Sequence, residues 1–295
     1  SKLGFTGRVG GKTSFARLDY AIERTPLRNL NLAYQFTYQD LDIYKKGDKT
    51  FNTSYTHHFA EFGYSDMNWL NFKLKLGARY EYFDYNSFLY TAENQKYQVK
   101  PEGFISYFAQ AHLETLDRRY FPSKGVSLQA DYSIYTDNFV TYKGHTFFSA
   151  LKLSFLSVLP LTSHLSLLPS IDGRVLIGKD PAYPFLNVVG GDMPERYLPQ
   201  QLPFAGINRM EIFDNSVAIV RLNLRQRIGQ RHYISLIANY AIHEDNFFDL
   251  LKGESVWGGS IGYAYNSMFG PMNTNFGLSN RNNNLQFYLN LGYSF

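Results

Sequence analysis

The chain has 295 residues, 17% aromatic and 18% charged, with a formal net charge of +4 and no cysteine. Its mean hydropathy of −0.30 and the lack of any run of about 18 apolar residues exclude a protein that crosses a membrane with helices. So mild a positive balance gives no reason to expect nucleic acid as a partner.

Composition nevertheless leaves a contradiction, because 24 Tyr and 25 Phe are many for a soluble domain of low hydropathy. A transmembrane β-barrel removes it. Apolar residues facing lipid alternate with polar residues facing the lumen, so mean hydropathy stays low while aromatics collect on the outer wall. The chain shows that alternation from its start. Leu3, Phe5, Gly7 and Val9 alternate with Lys2, Gly4, Thr6 and Arg8. Ala16, Leu18, Tyr20 and Ile22 repeat the pattern, as do Leu30, Leu32, Tyr34, Phe36 and Tyr38. The segment 51–64 is ambiguous. After it come Phe72, Leu74, Leu76, Ala78, Tyr80 and Tyr82, then Ile105 to Leu113, then Val126 to Ile134. Further strands are expected at 146–159, 164–177, 217–228, 232–243, 255–267, 271–279 and 285–295. The expected fold is therefore all-β: a single antiparallel transmembrane barrel domain over 1–295, with fourteen strands in this chain.

Turns counted back from the C-terminus fall into two alternating classes. The mostly short ones include Gly270 with Pro271, Gly229 with Gln230, 160–163, 65–70 and 24–29, plus the longer 118–125. The mostly longer and more polar ones include 279–284, 244–254, 178–215, 137–145, 86–101 and 44–50. Outer-membrane barrels have short periplasmic turns and longer extracellular loops. This pattern predicts an outer-membrane location with both chain ends in the periplasm. The first residues already read as strand, so the chain is expected to be part of something longer.

The connection 178–215 is far longer than ordinary loops. It contains Gly190, Gly191, Arg196 and Tyr197, and it is too apolar to hang in water, so it is expected to fold into the lumen. The strand after it carries Arg221, Asn223, Arg225 and Arg227 on one face and Val220, Leu222 and Leu224 on the other. Three lumen arginines need answering acids, for which Asp172, Asp131, Glu114, Glu211, Asp192 and Glu195 are candidates. Two readings stay open: an ionic network that holds a plug in place, or a passage that conducts anions or another substrate.

These features carry a family resemblance. A large barrel ending on an aromatic residue, with a long loop before its fifth-last strand, resembles the superfamily of BamA/TamA-type assembly factors and two-partner secretion transporters. In that superfamily the loop enters the lumen and an Arg-Gly-aromatic tip touches the barrel wall. Arg196 and Tyr197, preceded by Gly190 and Gly191, are the nearest match, with no glycine between them. The turn with Phe121, Pro122 and Gly125 resembles the superfamily's periplasmic Phe-Pro-x-x-Gly turn, in which the aromatic and proline pin the chain and glycine supplies an unusual φ. The run 196–206, Arg-Tyr-Leu-Pro-Gln-Gln-Leu-Pro-Phe-Ala-Gly, is most similar to the barrel of patatin-like phospholipases of Bacteroidetes type. That resemblance implies a sixteen-stranded barrel, so two strands would precede Ser1, and a lipase domain ahead of the barrel. The chain itself is read as carrying no patatin-type Gly-x-Ser-x-Gly nucleophile.

Other candidate sites are weaker. His57 and His58 are adjacent and must face opposite walls, His112 lies near Glu114, and His243, Glu244 and Asp245 sit at a rim. No metal-ligand spacing is read and no cofactor is expected. In the last strand Phe287, Leu289, Leu291, Tyr293 and Phe295 resemble the signal read by the barrel-assembly machinery. Expected partners are outer-membrane lipid, that machinery, and a second copy or another outer-membrane protein. A porin-like channel, a barrel insertase and a structural subunit are the alternatives.

Overall fold

A computed structural model describes residues 1–23, 28–90, 100–192, 198–282 and 284–292, without the side chains of 66–68 and 87–90. Strands β1 (Lys2–Arg8), β2 (Thr13–Ala21), β3 (Leu30–Lys45), β4 (Asp48–Trp69), β5 (Phe72–Tyr90), β6 (Glu102–Glu114) and β7 (Gly125–Thr136) follow one another. β8 (Thr141–Tyr142) and β9 (His145–Thr146) form a hairpin apart, after which β10 (Phe148–Pro160) and β11 (Leu165–Ile177) return to the sheet. β12 (Asn187–Val189), β13 (Gln201–Leu202) and β14 (Ile212–Asp214) make a three-stranded sheet inside the long connection. β15 (Ser216–Ile228), β16 (His232–Glu244), β17 (Glu254–Ser267), β18 (Gly270–Ser279) and β19 (Gln286–Leu291) complete a fourteen-stranded sheet with the order β1 to β7, β10, β11, β15 to β19. The ladders of this sheet are antiparallel, as one-after-another strands with local turns must be.

Side-chain alternation sets the two faces. Leu18, Leu32, Tyr34, Tyr80, Leu153, Leu222 and Leu236 are exposed on the outer wall. Thr37, Glu61, Ser106, Arg174 and Asn239 are buried on the inner one. The sheet curls strongly. Glu211 accepts a hydrogen bond from the Gly47 N–H at 2.9 Å and from Asn282 Nδ2 at 3.4 Å, so the β3–β4 turn meets the β18–β19 connection over one carboxylate.

Several expected boundaries move. The stretch 44–50 is a tight turn at Lys46 (φ 51°) and Gly47 (φ 91°), the positive-φ pair that matches strand twist in a hairpin. β4 runs on to Trp69 through a register shift between Tyr64 and Met67, which hides the strand from a strict alternation rule. Pro271 lies inside β18, opposite Asn266. The ambiguity of 51–64 has a physical cause: near the long-loop end the inner face is apolar too, with Tyr55 and Phe83 buried beside Leu41, Ile43 and Phe104.

Candidate functional site

The long connection lies within the curl of the sheet. Pro184 starts a single 3₁₀ turn, Tyr183–Phe185, that sets Phe185 inward. Phe185, Val188, Leu198 and Met210 then pack on Leu41, Ile43, Tyr55, Phe83 and Phe104. A second cluster joins Val189, Leu202, Phe204 and Ile207 of the connection to Val217, Ile219, Ala241 and Val256 of the wall. Several polar groups carried in by this burial are bonded. Arg174, 5% exposed, donates to the Phe185 carbonyl at 2.7 Å and to Asn187 Oδ1, and Asn187 Nδ2 donates to the Arg174 carbonyl at 2.9 Å. Ala205 N–H donates to Asn239 Oδ1 at 3.0 Å, and the Tyr288 hydroxyl donates to the Ile207 carbonyl.

Backbone meets backbone at Gly206 (φ 96°), where a Cβ would strike the Leu278 carbonyl. A Cβ on Gly258 would lie 2.7 Å from the Ala205 carbonyl, and one on Gly277 2.8 Å from Gly206 N. Sequence reading left Gly258 and Gly277 without a role. Their signal was present: glycine in a strand interior marks a close backbone approach.

The residues singled out earlier part company here. Gly190 and Gly191 lie in the interior of the connection, where Gly190 N–H donates to the Leu202 carbonyl at 3.2 Å and Gly191 accepts from Phe204 N–H at 3.0 Å. Arg196 and Tyr197 lie outside the described residues. Arg221, Arg225 and Arg227 share the inner face, but among the described residues an acid answers only the first. Asp192 bonds Arg221 at 2.6 Å and Asn275 Nδ2 at 2.8 Å, with its side chain 2% exposed. Arg225 donates to the Pro122 carbonyl and Arg227 to the Ser163 carbonyl at 3.1 Å. Asp172 takes the Ser154 hydroxyl and forms no salt bridge among the described residues. Phe287, Leu289 and Leu291 are exposed on the outer wall, and Tyr293 and Phe295 lie outside the described residues.

At the end bearing the short turns, the 115–124 connection reaches inward. Asp117 accepts Ser123 N–H at 2.7 Å and Lys124 N–H at 3.2 Å, together with the Ser123 hydroxyl. Burial works to raise the Asp117 pKa, but these hydrogen bonds outweigh it and hold the carboxyl below its ordinary value. Gly125 (φ 113°) brings its Cα against Thr115, where a Cβ would strike the carbonyl. The tip carries Phe121 in a left-handed conformation (φ 50°) and stacks its ring on Tyr233, with centroids 4.2 Å apart and planes 3° from parallel. The Arg225 guanidinium lies 6.0 Å from the Phe121 ring and 5.7 Å from the Tyr233 ring. The motif thus does more than shape a turn: it ties β6–β7 to β15–β16 across the lumen.

Between these features the lumen is polar. A cavity of about 510 Å³ is lined by Arg17, His57, Glu61, Arg79, Lys152 and Arg174 among others. Glu61 is paired with Lys75 and with Arg79 at 2.7 Å, and Arg79 lies 3.7 Å from the Phe108 ring. His57 bonds Glu81 at 3.1 Å inside while His58 bonds the Tyr34 hydroxyl at 2.8 Å outside, as their adjacency requires. His112 bonds Glu114 at 3.2 Å, and His243 bonds Asp214 at 2.9 Å. Among the described residues no His, Asp and Glu cluster could hold a metal ion.

One sequence reading needs correcting. Gly258, Gly259, Ser260, Ile261 and Gly262 do spell Gly-x-Ser-x-Gly. Ser260 lies mid-strand in β17, paired with Ile237 and Gly277, so no strand–turn–helix elbow presents its hydroxyl.

The architecture has known counterparts. A family model described as the OMP85 superfamily matches residues 15–295. The chain belongs to the OMP85 superfamily. BamA from Haemophilus ducreyi lacking POTRA domains 1-3 superposes with a TM-score of 0.72 at 15% identity, over 99% of this chain and 64% of that one. CdiB from Escherichia coli gives 0.60 at 13% identity, over 94% of this chain and 50% of that one. CdiB from Acinetobacter baumannii gives 0.60 at 8% identity, over 90% and 46%. This OMP85 chain therefore spans less than two thirds of the length of each. At these identities the likeness is one of fold. No curated protein matches the sequence.

Proposed function

We propose that this OMP85 chain is the membrane-spanning barrel of an outer-membrane protein whose lumen is held shut at rest. The observation behind the reading is the burial of Val189, Leu202, Phe204 and Ile207, each 0% exposed, against the inner wall. A passive pore gains nothing from so complete a filling, whereas a barrel that opens on demand needs it. In this reading the short turns face the periplasm, and lipid surrounds the exposed wall of Leu153, Ile171, Leu222, Leu236 and Phe287. The barrel-assembly machinery would read the final strand, so deleting Phe295 should slow insertion more than it destabilises the inserted barrel.

The finer assignment is the anchoring and translocating barrel of a patatin-like phospholipase. The run 196–206 supports it. Arg196 and Tyr197 would dock the connection on the wall. Planar-bilayer recording tests the reading: the protein should give small, flickering currents, and Arg196→Ala should enlarge them. Large, steady currents from the unaltered protein would make it a porin-like channel instead.

A further inference from the structure

A second cavity, of about 240 Å³, lies between the two inward-reaching segments. Asp192 of the long connection borders it on one side, and Arg119, Tyr120 and Phe121 of the short-turn end border it on the other. Its side walls are rich in amides, from Asn223, Asn273, Asn275 and Asn290. Among the described residues three guanidiniums, those of Arg119, Arg221 and Arg225, line it with a single carboxylate, Asp192. That carboxylate is already committed to Arg221 and Asn275.

Arg225 is the unusual member. Among the described residues it forms no salt bridge, and its bonding partner is the Pro122 carbonyl, with two aromatic faces beside it. A neutral carbonyl satisfies one N–H of a group with five donors and offsets none of its charge. An oxyanion satisfies more donors and cancels the charge, and charge-assisted bonds are about twice as strong as neutral ones. An anion arriving in the chamber therefore competes for Arg225 with the turn that Arg225 holds.

We propose that the turn around Phe121 and Pro122 is a latch over an anion-accepting chamber. Its ligand class is the small oxyanion: phosphate, sulfonate or carboxylate. Phe121 and Pro122 supply three contacts that hold the latch: the Phe121–Tyr233 stack, the Arg225 guanidinium beside both rings, and the Arg225–Pro122 bond. Oxyanion capture by Arg225 breaks the last contact and loosens the other two, so filling and opening are coupled. This inference concerns the lumen itself and needs neither a membrane location nor a lipase partner.

The chain has no cysteine, so a single introduced thiol reports on the chamber alone. Ser235→Cys places a thiol on the chamber wall with little change in size. In detergent-solubilised protein, its modification is timed with negatively charged methanethiosulfonate ethylsulfonate and with the positively charged ethyltrimethylammonium reagent. Modification should be slow in the otherwise unaltered chain and at least tenfold faster when Phe121→Ala is added. The anionic reagent should then lead the cationic one by at least fivefold, and Arg225→Gln should abolish that lead. Inorganic phosphate should also speed labelling by the cationic reagent when Phe121 is intact. Equal rates with and without Phe121 in folded protein would overturn the latch, and a faster cationic reagent would overturn the anion chamber. Should Phe121→Ala fail to fold, Tyr233→Leu removes the same stack from the other side and must give the same acceleration.

Discussion

The two segments that enter the lumen are built on opposite plans. The 178–215 connection is a small folded unit, with a 3₁₀ turn, a three-stranded sheet and two apolar clusters shared with ten strands of the wall. Phe121 and Pro122 of the 115–124 turn touch β15 and β16 through one ring stack and one guanidinium. Burial free energy scales with the apolar area removed from water, so the first is integral to the fold and the second is held by a few contacts that can be undone singly. A lumen filled from one end by a permanent unit and from the other by a latch opens first at the latch.

The largest effect that would break this contrast comes from Phe204, 0% exposed in the second cluster. Phe204→Ala should cost about 3–5 kcal/mol and expose the connection to protease, read by thermal unfolding and limited proteolysis. A loss of a few tenths would mean that the connection is not integral. Gly206→Ala comes next. The new Cβ meets the Leu278 carbonyl at a left-handed φ, so the connection must lift off β18 at a cost of about 1–3 kcal/mol. Its signature is protease sensitivity near 200–210 with the wall strands still folded.

How far the sequence anticipated this contrast depends on the kind of interaction involved. The strands other than 51–64 were readable because residues such as Leu32, Tyr34, Leu153 or Leu222 face outward at period two, and that pattern is local. The filled lumen was readable in outline because so apolar a connection needs cover. Which side chains answer one another was not readable. Arg221 finding Asp192, and Arg225 finding a carbonyl 103 positions away in Pro122, depend on the curl of the whole sheet. Asp172 and Glu211 looked equally able to answer an arginine. Glu211 ties Gly47 and Asn282 together and answers Arg281 at 3.8 Å, not an arginine of the strand after the connection. The Phe-Pro-x-x-Gly turn was seen as a motif, yet its reach to Tyr233 depends on three intervening strands and left no trace in spacing.

Smaller effects sharpen the other half of the comparison. Phe121→Ala should cost less thermal stability than Phe204→Ala, because Phe121 is only half-buried and the stack adds about 0.5–1.5 kcal/mol to its area term. It should still free the turn, visible as faster trypsin cleavage at Arg118, Arg119 or Lys124. The smallest effect is the response to acid. Asp117 has a depressed pKa in the folded turn, so its contribution is fully present above the ordinary carboxylate value and is lost as pH falls through the depressed one. Cleavage of the turn by an acid-active protease should rise over that window, and Asp117→Asn should flatten the rise. A pH response unchanged in Asp117→Asn would remove Asp117 from the account.

Hydrogen–deuterium exchange compares the two segments in one experiment. The connection carries ladder bonds such as Val188 N–H to the Gln200 carbonyl and Glu211 N–H to the Val189 carbonyl, both 3.2 Å, beneath the buried clusters. Peptides covering 187–191 and 201–213 should therefore be protected almost as well as the wall strands β15 and β16, while the peptide covering 118–124 exchanges at least a hundredfold faster. Fast exchange across 187–213 in a barrel whose wall stays protected would contradict the account.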